Sequence, residues 1–270
     1  MRRLIAKWII NSFPYVIHFY NLIREGGIFI GKRWNLFCGY LWETGTRERN
    51  EDSLAFWHMR SAKKEKVMAV ICDGIGGLPQ GEQASSYVVR QMANWFMSGG
   101  YRLSSKRRQN TVQSFLFQLH EEIREYGKDK GISLGTTATI VFMENYKLYW
   151  FHCGDCRLYL LRNRKVKQLT GEHQDRQGNL TRAIGVGSWN LLESGSLKLK
   201  KKDRILMCPD GLYRNLDKKE LKLWSEKAVD SDEQAGRMLK QLFQKKMSLG
   251  EKDNLSALYF GYAKKEAKGE

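Results

Sequence analysis

The sequence predicts an α+β domain built from mostly antiparallel sheets, with helices packed outside them. Three observations carry this reading. Strand-like runs follow one another in the middle and at the end of the chain, and helical patterns come in pairs. Tight-turn residues (Asn145, and Asn163 with Arg164) separate neighbouring strands as hairpins require. Alternating βαβ units would have interleaved the two kinds of element. The 270 residues, 42% apolar and 28% charged, suffice for one large domain with a substantial core. Three prolines and the lack of a low-complexity tract leave no linker between modules.

The first expected element is a helix over residues 4–23. Lys7, Asn11, Pro14, His18 and Asn21 fall on one narrow helical stripe, and apolar residues fill the rest. A membrane-spanning helix needs about 20 mostly apolar residues, and this segment carries a polar stripe and a proline that would kink it. Three readings stay open: an amphipathic helix lying in a membrane interface, a helix docked on the domain or a partner, and an imperfect membrane anchor. Arg2, Arg3, Arg24, Lys32 and Arg33 flank it, which makes an anionic membrane surface a candidate partner. No small-residue cleavage site marks a removable signal peptide. Gly26, Gly27 and Gly31 end the helix, so residues 1–33 read as an N-terminal extension, 34–264 as the folded domain and 265–270 as a charged tail.

Within the domain, strands are expected at 36–42, 67–72, 138–142, 147–153, 158–162, 165–169, 204–208 and 255–262. Helices at 82–97 and 111–126 fall together between the second and third strands. Those at 218–228 and 232–247 fall together before the last.

The formal charge of +17 raises the local concentration of anionic partners, but the lysines and arginines are scattered and no nucleic-acid-binding signature accompanies them. Nucleic acid is therefore not an expected partner. The five cysteines, Cys38, Cys72, Cys153, Cys156 and Cys208, are odd in number and sit mostly in apolar runs, which suits buried free thiols in a reducing compartment. Cys153 and Cys156 form a C-x-x-C that closes a strand instead of opening a helix, and no second pair completes a zinc site.

The chemistry lies in recurring carboxylates at strand boundaries, each beside glycine or asparagine. Asp73 precedes Gly74-Ile75-Gly76-Gly77, Asp155 follows Gly154, Asp210 precedes Gly211, Asp253 precedes Asn254, and Glu51 with Asp52 follows Asn50. One such aspartate is usually just a turn. Strand ends, however, can gather distant residues on one rim, where clustered carboxylates repel and raise one another's pKa values. Divalent cations resolve that conflict, and oxygen-only ligands favour magnesium or manganese over zinc.

In this order the motifs resemble the PP2C, or PPM, family of metal-dependent protein serine/threonine phosphatases, particularly the compact bacterial type. The similar stretches are Arg47-Glu48-Arg49-Asn50-Glu51-Asp52, Cys72-Asp73-Gly74-Ile75-Gly76-Gly77, Gly135-Thr136-Thr137, Gly154-Asp155-Cys156-Arg157, Leu180-Thr181-Arg182-Ala183, Cys208-Pro209-Asp210-Gly211 and Lys252-Asp253-Asn254. The resemblance implies an αββα sandwich, two antiparallel sheets face to face with a helical layer on each side. It implies two Mn2+ or Mg2+ ions bridged by Asp73, one also taking the Gly74 carbonyl, with Asp210 and Asp253 holding the other. Glu51 and Asp52 would ligate directly or through water, Asp155 would serve a weaker third ion, and Arg47 would grip the substrate phosphate. Two cations roughly 3.5–4 Å apart can turn a bridging water into hydroxide for in-line attack. The implied partners are a phosphorylated protein substrate and a cognate serine/threonine kinase.

The sequence departs from the pattern in three places. Ile75 stands where some members have a histidine, the usual Gly-Asp-Ser-Arg reads Gly-Asp-Cys-Arg, and the flap before Leu180 is shortened to little more than residues 174–179. The shortened flap bears on the third ion and on substrate recognition. It also keeps one alternative alive, a weakly active or inactive relative used for regulation or binding.

Overall fold

The computed structural model describes residues 17–21, 34–60, 65–190, 192–214, 216–227 and 229–264. Eleven strands are present among them: β1 (Ile17–Asn21), β2 (Trp34–Glu43), β3 (Asp52–Arg60), β4 (Glu65–Asp73), β5 (Ala138–Glu144), β6 (Lys147–Cys153), β7 (Arg157–Arg162), β8 (Lys165–Gln168), β9 (Glu193–Lys198), β10 (Arg204–Cys208) and β11 (Leu255–Lys264). The helices are α1 (Gly81–Met97), α2 (Ser105–Lys130), α3 (Asp210–Tyr213), α4 (Lys218–Trp224) and α5 (Asp232–Ser248). One sheet runs β1-β3-β4-β5-β6-β9 and the other β2-β11-β10-β7-β8. Every pairing is antiparallel except β1 with β3.

Side-chain alternation builds the layers. Along β4, Val67, Ala69 and Ile71 enter the core between the sheets, where they meet Leu258 and Phe260 of β11. Met68, Val70 and Cys72 point the other way, onto Ala84, Val88, Met92 and Phe96 of α1 and Leu116 and Ile123 of α2. Likewise Leu206 and Cys208 of β10 turn outward to Leu239 and Leu242 of α5. Three apolar layers, helix on sheet, sheet on sheet and sheet on helix, make the expected αββα sandwich. Each fully buried Leu, Ile or Val contributes roughly 1.5–3 kcal/mol, and a one-residue slip would turn both faces of a central strand to the wrong layer.

Two strands of the domain escape the sequence reading. β3 (Asp-Ser-Leu-Ala-Phe-Trp-His-Met-Arg) is buried on both faces and so shows no alternation. β9 (Glu-Ser-Gly-Ser-Leu-Lys) lacks β-branched residues; it pairs with β6, and Trp150 lies over Gly195, where a Cβ would meet the indole at 2.1 Å.

The expected helix over 4–23 needs correction where it is described. Ile17–Asn21 is a strand, pairing in parallel with β3 from Ile17↔Ala55 to Asn21↔Met59. The free edge of β3 offers unpaired backbone groups that a neighbouring extended segment satisfies. The boundary drawn at residue 34 therefore does not set this segment apart from the sheet. The remainder of the expected helix and the tail at 265–270 lie outside the described residues. No helix among the described residues is long and apolar enough to cross a membrane.

Candidate metal centre

Antiparallel pairing brings the carboxylates together. Asp73 ends β4 directly opposite Asp52, which begins β3. Asp155 follows β6, Asp210 opens α3 just past β10, and Asp253 precedes β11. All eight residues singled out in the sequence, Arg47, Glu51, Asp52, Asp73, Gly74, Asp155, Asp210 and Asp253, line one cleft of about 580 Å³.

The flanking motif residues hold that arrangement by their backbones. Thr137 accepts from the Asp73 N–H at 2.9 Å, and the Thr137 N–H and Thr136 hydroxyl both donate to the Asp73 carbonyl at 2.8 Å. This is the work of Gly135-Thr136-Thr137. Asn254 is buried and fully used: its carbonyl oxygen accepts from the Glu51 N–H at 2.9 Å, and its amide donates to the carbonyls of Thr44 and Arg49. It thereby fixes the loop that carries Arg47. Gly45 in that loop has a φ of 66°, and a Cβ there would fall 2.1 Å from the Asp253 carbonyl. Gly74 passes against the backbone of Gly81, which leaves no room for a side chain.

The electrostatics describe a cluster short of positive charge. Burial, reinforced by Asp52, Asp210, Asp155 and Asp253, holds the Asp73 carboxyl well above the ordinary range. Burial pushes Asp52 up to about 8 and Asp155 up to about 6, and both feel Asp210. Burial likewise raises Glu51 and Asp210, with Arg214 pulling Asp210 back. Asp52 is 2% exposed, yet its Oδ2 closes no hydrogen bond among the described residues, although the Ser256 hydroxyl stands near enough to ease its charge. An orphaned buried carboxylate oxygen among five other carboxylates is what a site for hard divalent cations requires. The residues fit the expected ions.

Among the described residues, two arginines supply the cationic side chains lining the cleft. Arg47 lies 3.1 Å from Oδ1 of Asp253, and Arg214 pairs with Asp210 and stands 3.7 Å from Oδ2 of Asp253. Arg214 was not among the residues singled out in the sequence. Nor was Gln174, whose amide donates to Oδ2 of Asp155 at 2.6 Å. The shortened flap is a closed turn in which Asp175 accepts from the N–H groups of Gln177 and Asn179, and it sets Gln174, Gly178, Asn179 and Leu180 on the cleft wall. Behind it, Nδ1 of His173 accepts from the Gly154 N–H. His152, His173 and Glu193 also converge there, but both His152 nitrogens are taken, by the Thr139 hydroxyl and the Gly171 carbonyl at 2.8 Å each. Burial lowers His152 to about 3, so it serves as a neutral pin. Cys156 is fully buried against Thr137, and burial keeps its thiol protonated.

These shifts set a pH dependence for the cation-free protein. Folded Asp155 and Asp52 keep their protons to about pH 6 and 8, while unfolded aspartate releases its proton near 3.9. Between those limits the folded chain binds more protons, so its stability falls as pH rises, by about 1.4 kcal/mol per unit for each such carboxyl. The melting temperature in EDTA should therefore drop from pH 5 to pH 8. Saturating Mn2+ should raise it, and by more at pH 8, because cation uptake displaces those protons. A melting temperature in EDTA that climbs over this range would contradict the assignment.

A sequence profile of the protein phosphatase 2C family matches residues 44–252. The chain belongs to the protein phosphatase 2C family. Among its relatives, the serine/threonine phosphatase Stp of Listeria monocytogenes is 24% identical over 233 residues, spanning 78% of this chain and 90% of the relative. A putative protein phosphatase of Mycoplasma genitalium is 23% identical, spanning 83% and 94%. The fold matches the serine/threonine phosphatase Stp1 of Staphylococcus aureus at a TM-score of 0.74 and 20% identity, over 88% of this chain and 99% of the other. It also matches the catalytic domain of the phosphatase PstP, solved with two manganese ions, at a TM-score of 0.67 and 21% identity, over 85% and 99%. This protein phosphatase 2C member thus shares its sandwich with bacterial protein serine/threonine phosphatases.

Proposed function

We propose that this chain hydrolyses phosphoserine and phosphothreonine in proteins, using two Mn2+ or Mg2+ ions held in the carboxylate cleft. The observation that carries the reading is the convergence of six carboxylates from distant strand ends in one cleft, where burial and mutual repulsion raise Asp52, Asp73 and Asp155 above the usual carboxylate range. Asp73 and the Gly74 carbonyl would serve one ion, with Asp73 shared, and Asp210 and Asp253 the other, while Glu51 and Asp52 ligate or orient water. When bound, the ions supply a water of lowered pKa and neutralise charge on the phosphoryl group. The chain's own residues do the rest. Arg47 offers a planar fork to the phosphate, and Ile75, Leu78, Leu180 and Val186 line the cleft with apolar surface. Among the described residues no Cys or His lines the cleft, and Cys156, which lies close behind Asp73 and Asp155, is buried and kept protonated. Attack by water and protonation of the leaving group by solvent is the reading these residues support. Any third ion at Asp155 would share that carboxylate with the Gln174 amide, which already holds Oδ2. A kinase acting on the same substrate protein is the partner this reading implies.

The test is release of phosphate from phosphothreonine and phosphoserine peptides by the full-length protein. Activity should require Mn2+ or Mg2+, vanish in EDTA and return with added ion. Hydrolysis that survives exhaustive chelation would end the two-ion reading.

A further inference from the structure

Arg47 is one guanidinium at the cleft, and Arg214 is a second with a different origin. Arg214 follows the short helix α3, four residues beyond Asp210, so one helical turn brings its guanidinium back over that carboxylate. It reaches Oδ2 of Asp253 while Arg47 holds Oδ1, and the two arginines bracket one carboxylate from its two oxygens. Their side chains are 54% and 59% exposed, at the mouth of the cleft and not in its floor.

Building on the phosphatase reading above, we propose that Arg214 is a second phosphate-gripping residue, which with Arg47 clamps the substrate phosphoryl group across Asp253. A purely structural role accounts poorly for it. An ion pair whose arginine is this exposed adds little to stability, and a fixed cation beside Asp210 and Asp253 weakens the attraction of that site for divalent ions. Ions held by Asp210 and Asp253 would compete with the guanidiniums for those carboxylates, and would leave both planar forks free at the cleft mouth to meet an incoming phosphate monoester. Its non-bridging oxygens suit bidentate guanidinium contacts, which a lysine ammonium, as a point charge, matches only in part.

Calorimetric titration of inorganic phosphate into the Mn2+-saturated full-length protein tests this. Arg214→Ala should weaken phosphate by about tenfold or more, the scale of a lost charge-assisted hydrogen bond. It should leave Mn2+ stoichiometry intact, with Mn2+ affinity equal or higher. With a phosphothreonine peptide the loss should fall on KM more than on kcat, and Arg214→Lys should recover only part of it. Melting temperatures of both variants near that of the parent exclude misfolding as the cause. Unchanged phosphate affinity in Arg214→Ala overturns the clamp, whatever happens to Mn2+. A parent protein that takes up no Mn2+ overturns the phosphatase reading, and the clamp with it.

Discussion

Asp73→Asn is expected to remove turnover, by on the order of 10³-fold or more, and to impair Mn2+ uptake while leaving the fold intact. The side chain is nearly isosteric, and Thr136 and Thr137 hold the backbone at this position whatever the side chain carries. What the substitution deletes is one charge at the point where Asp52, Asp155, Asp210 and Asp253 all press on the same carboxyl. Deleting it relieves that repulsion, so in EDTA at pH 8 the variant should melt at the parent's temperature or above it. Activity and cation-free stability thus move in opposite directions. A residue needed only for folding would lower both. Phosphopeptide hydrolysis, Mn2+ titration and thermal melts in EDTA, run on one preparation, decide between the two roles. An Asp73→Asn protein that turns over normally would remove the bridging carboxylate from the account.

The second large effect separates Asp253 from Arg47, although the two touch. Asp253→Asn should abolish turnover by weakening the site shared with Asp210. Arg47→Ala removes a group that meets the Asp253 carboxylate and that, under the proposed function, would meet the substrate phosphate in the working protein. It should raise KM about tenfold, with a smaller change in kcat and with Mn2+ stoichiometry unchanged. Equal loss of Mn2+ binding in the two variants would show that Arg47 supports the ions and not the substrate.

The legibility of the site follows from its chemistry. Asp73, Asp155, Asp210 and Asp253 could be found because each pairs a carboxylate with glycine or asparagine at the end of an apolar strand, a pattern confined to a few residues of sequence. Arg214 and Gln174 carry no such mark. Arg214 reaches the cleft only through one turn of a four-residue helix too short to show periodicity. Gln174 reaches Asp155 only because the flap is closed by an Asp175 turn. Asn254 was visible as the neighbour of Asp253, but its task of pinning the Arg47 loop spans 210 residues of sequence separation and needs coordinates.

The fold was legible to the same degree and for related reasons. Strands with one continuous apolar run, such as β6 and β10, were read with their observed bounds. β3 and β9 were not, since their strand character comes from the partners they lie between. The segment Ile17–Asn21 shows the limit most plainly. His18 and Asn21 fit a helical stripe, yet pairing with the edge of β3 decides the backbone there, and no local period reports an edge several dozen residues away.

The central claim is that the cleft holds two divalent cations sharing Asp73. Anomalous diffraction at the manganese edge, on crystals grown with Mn2+ and without chelator, tests it most directly. The account predicts two strong peaks in the cleft, roughly 3.5–4 Å apart, with an Asp73 carboxylate between them and Asp210 and Asp253 against one. A cleft without peaks, or ions bound away from Asp73 while Arg47 and Arg214 keep their grip on Asp253, would contradict it.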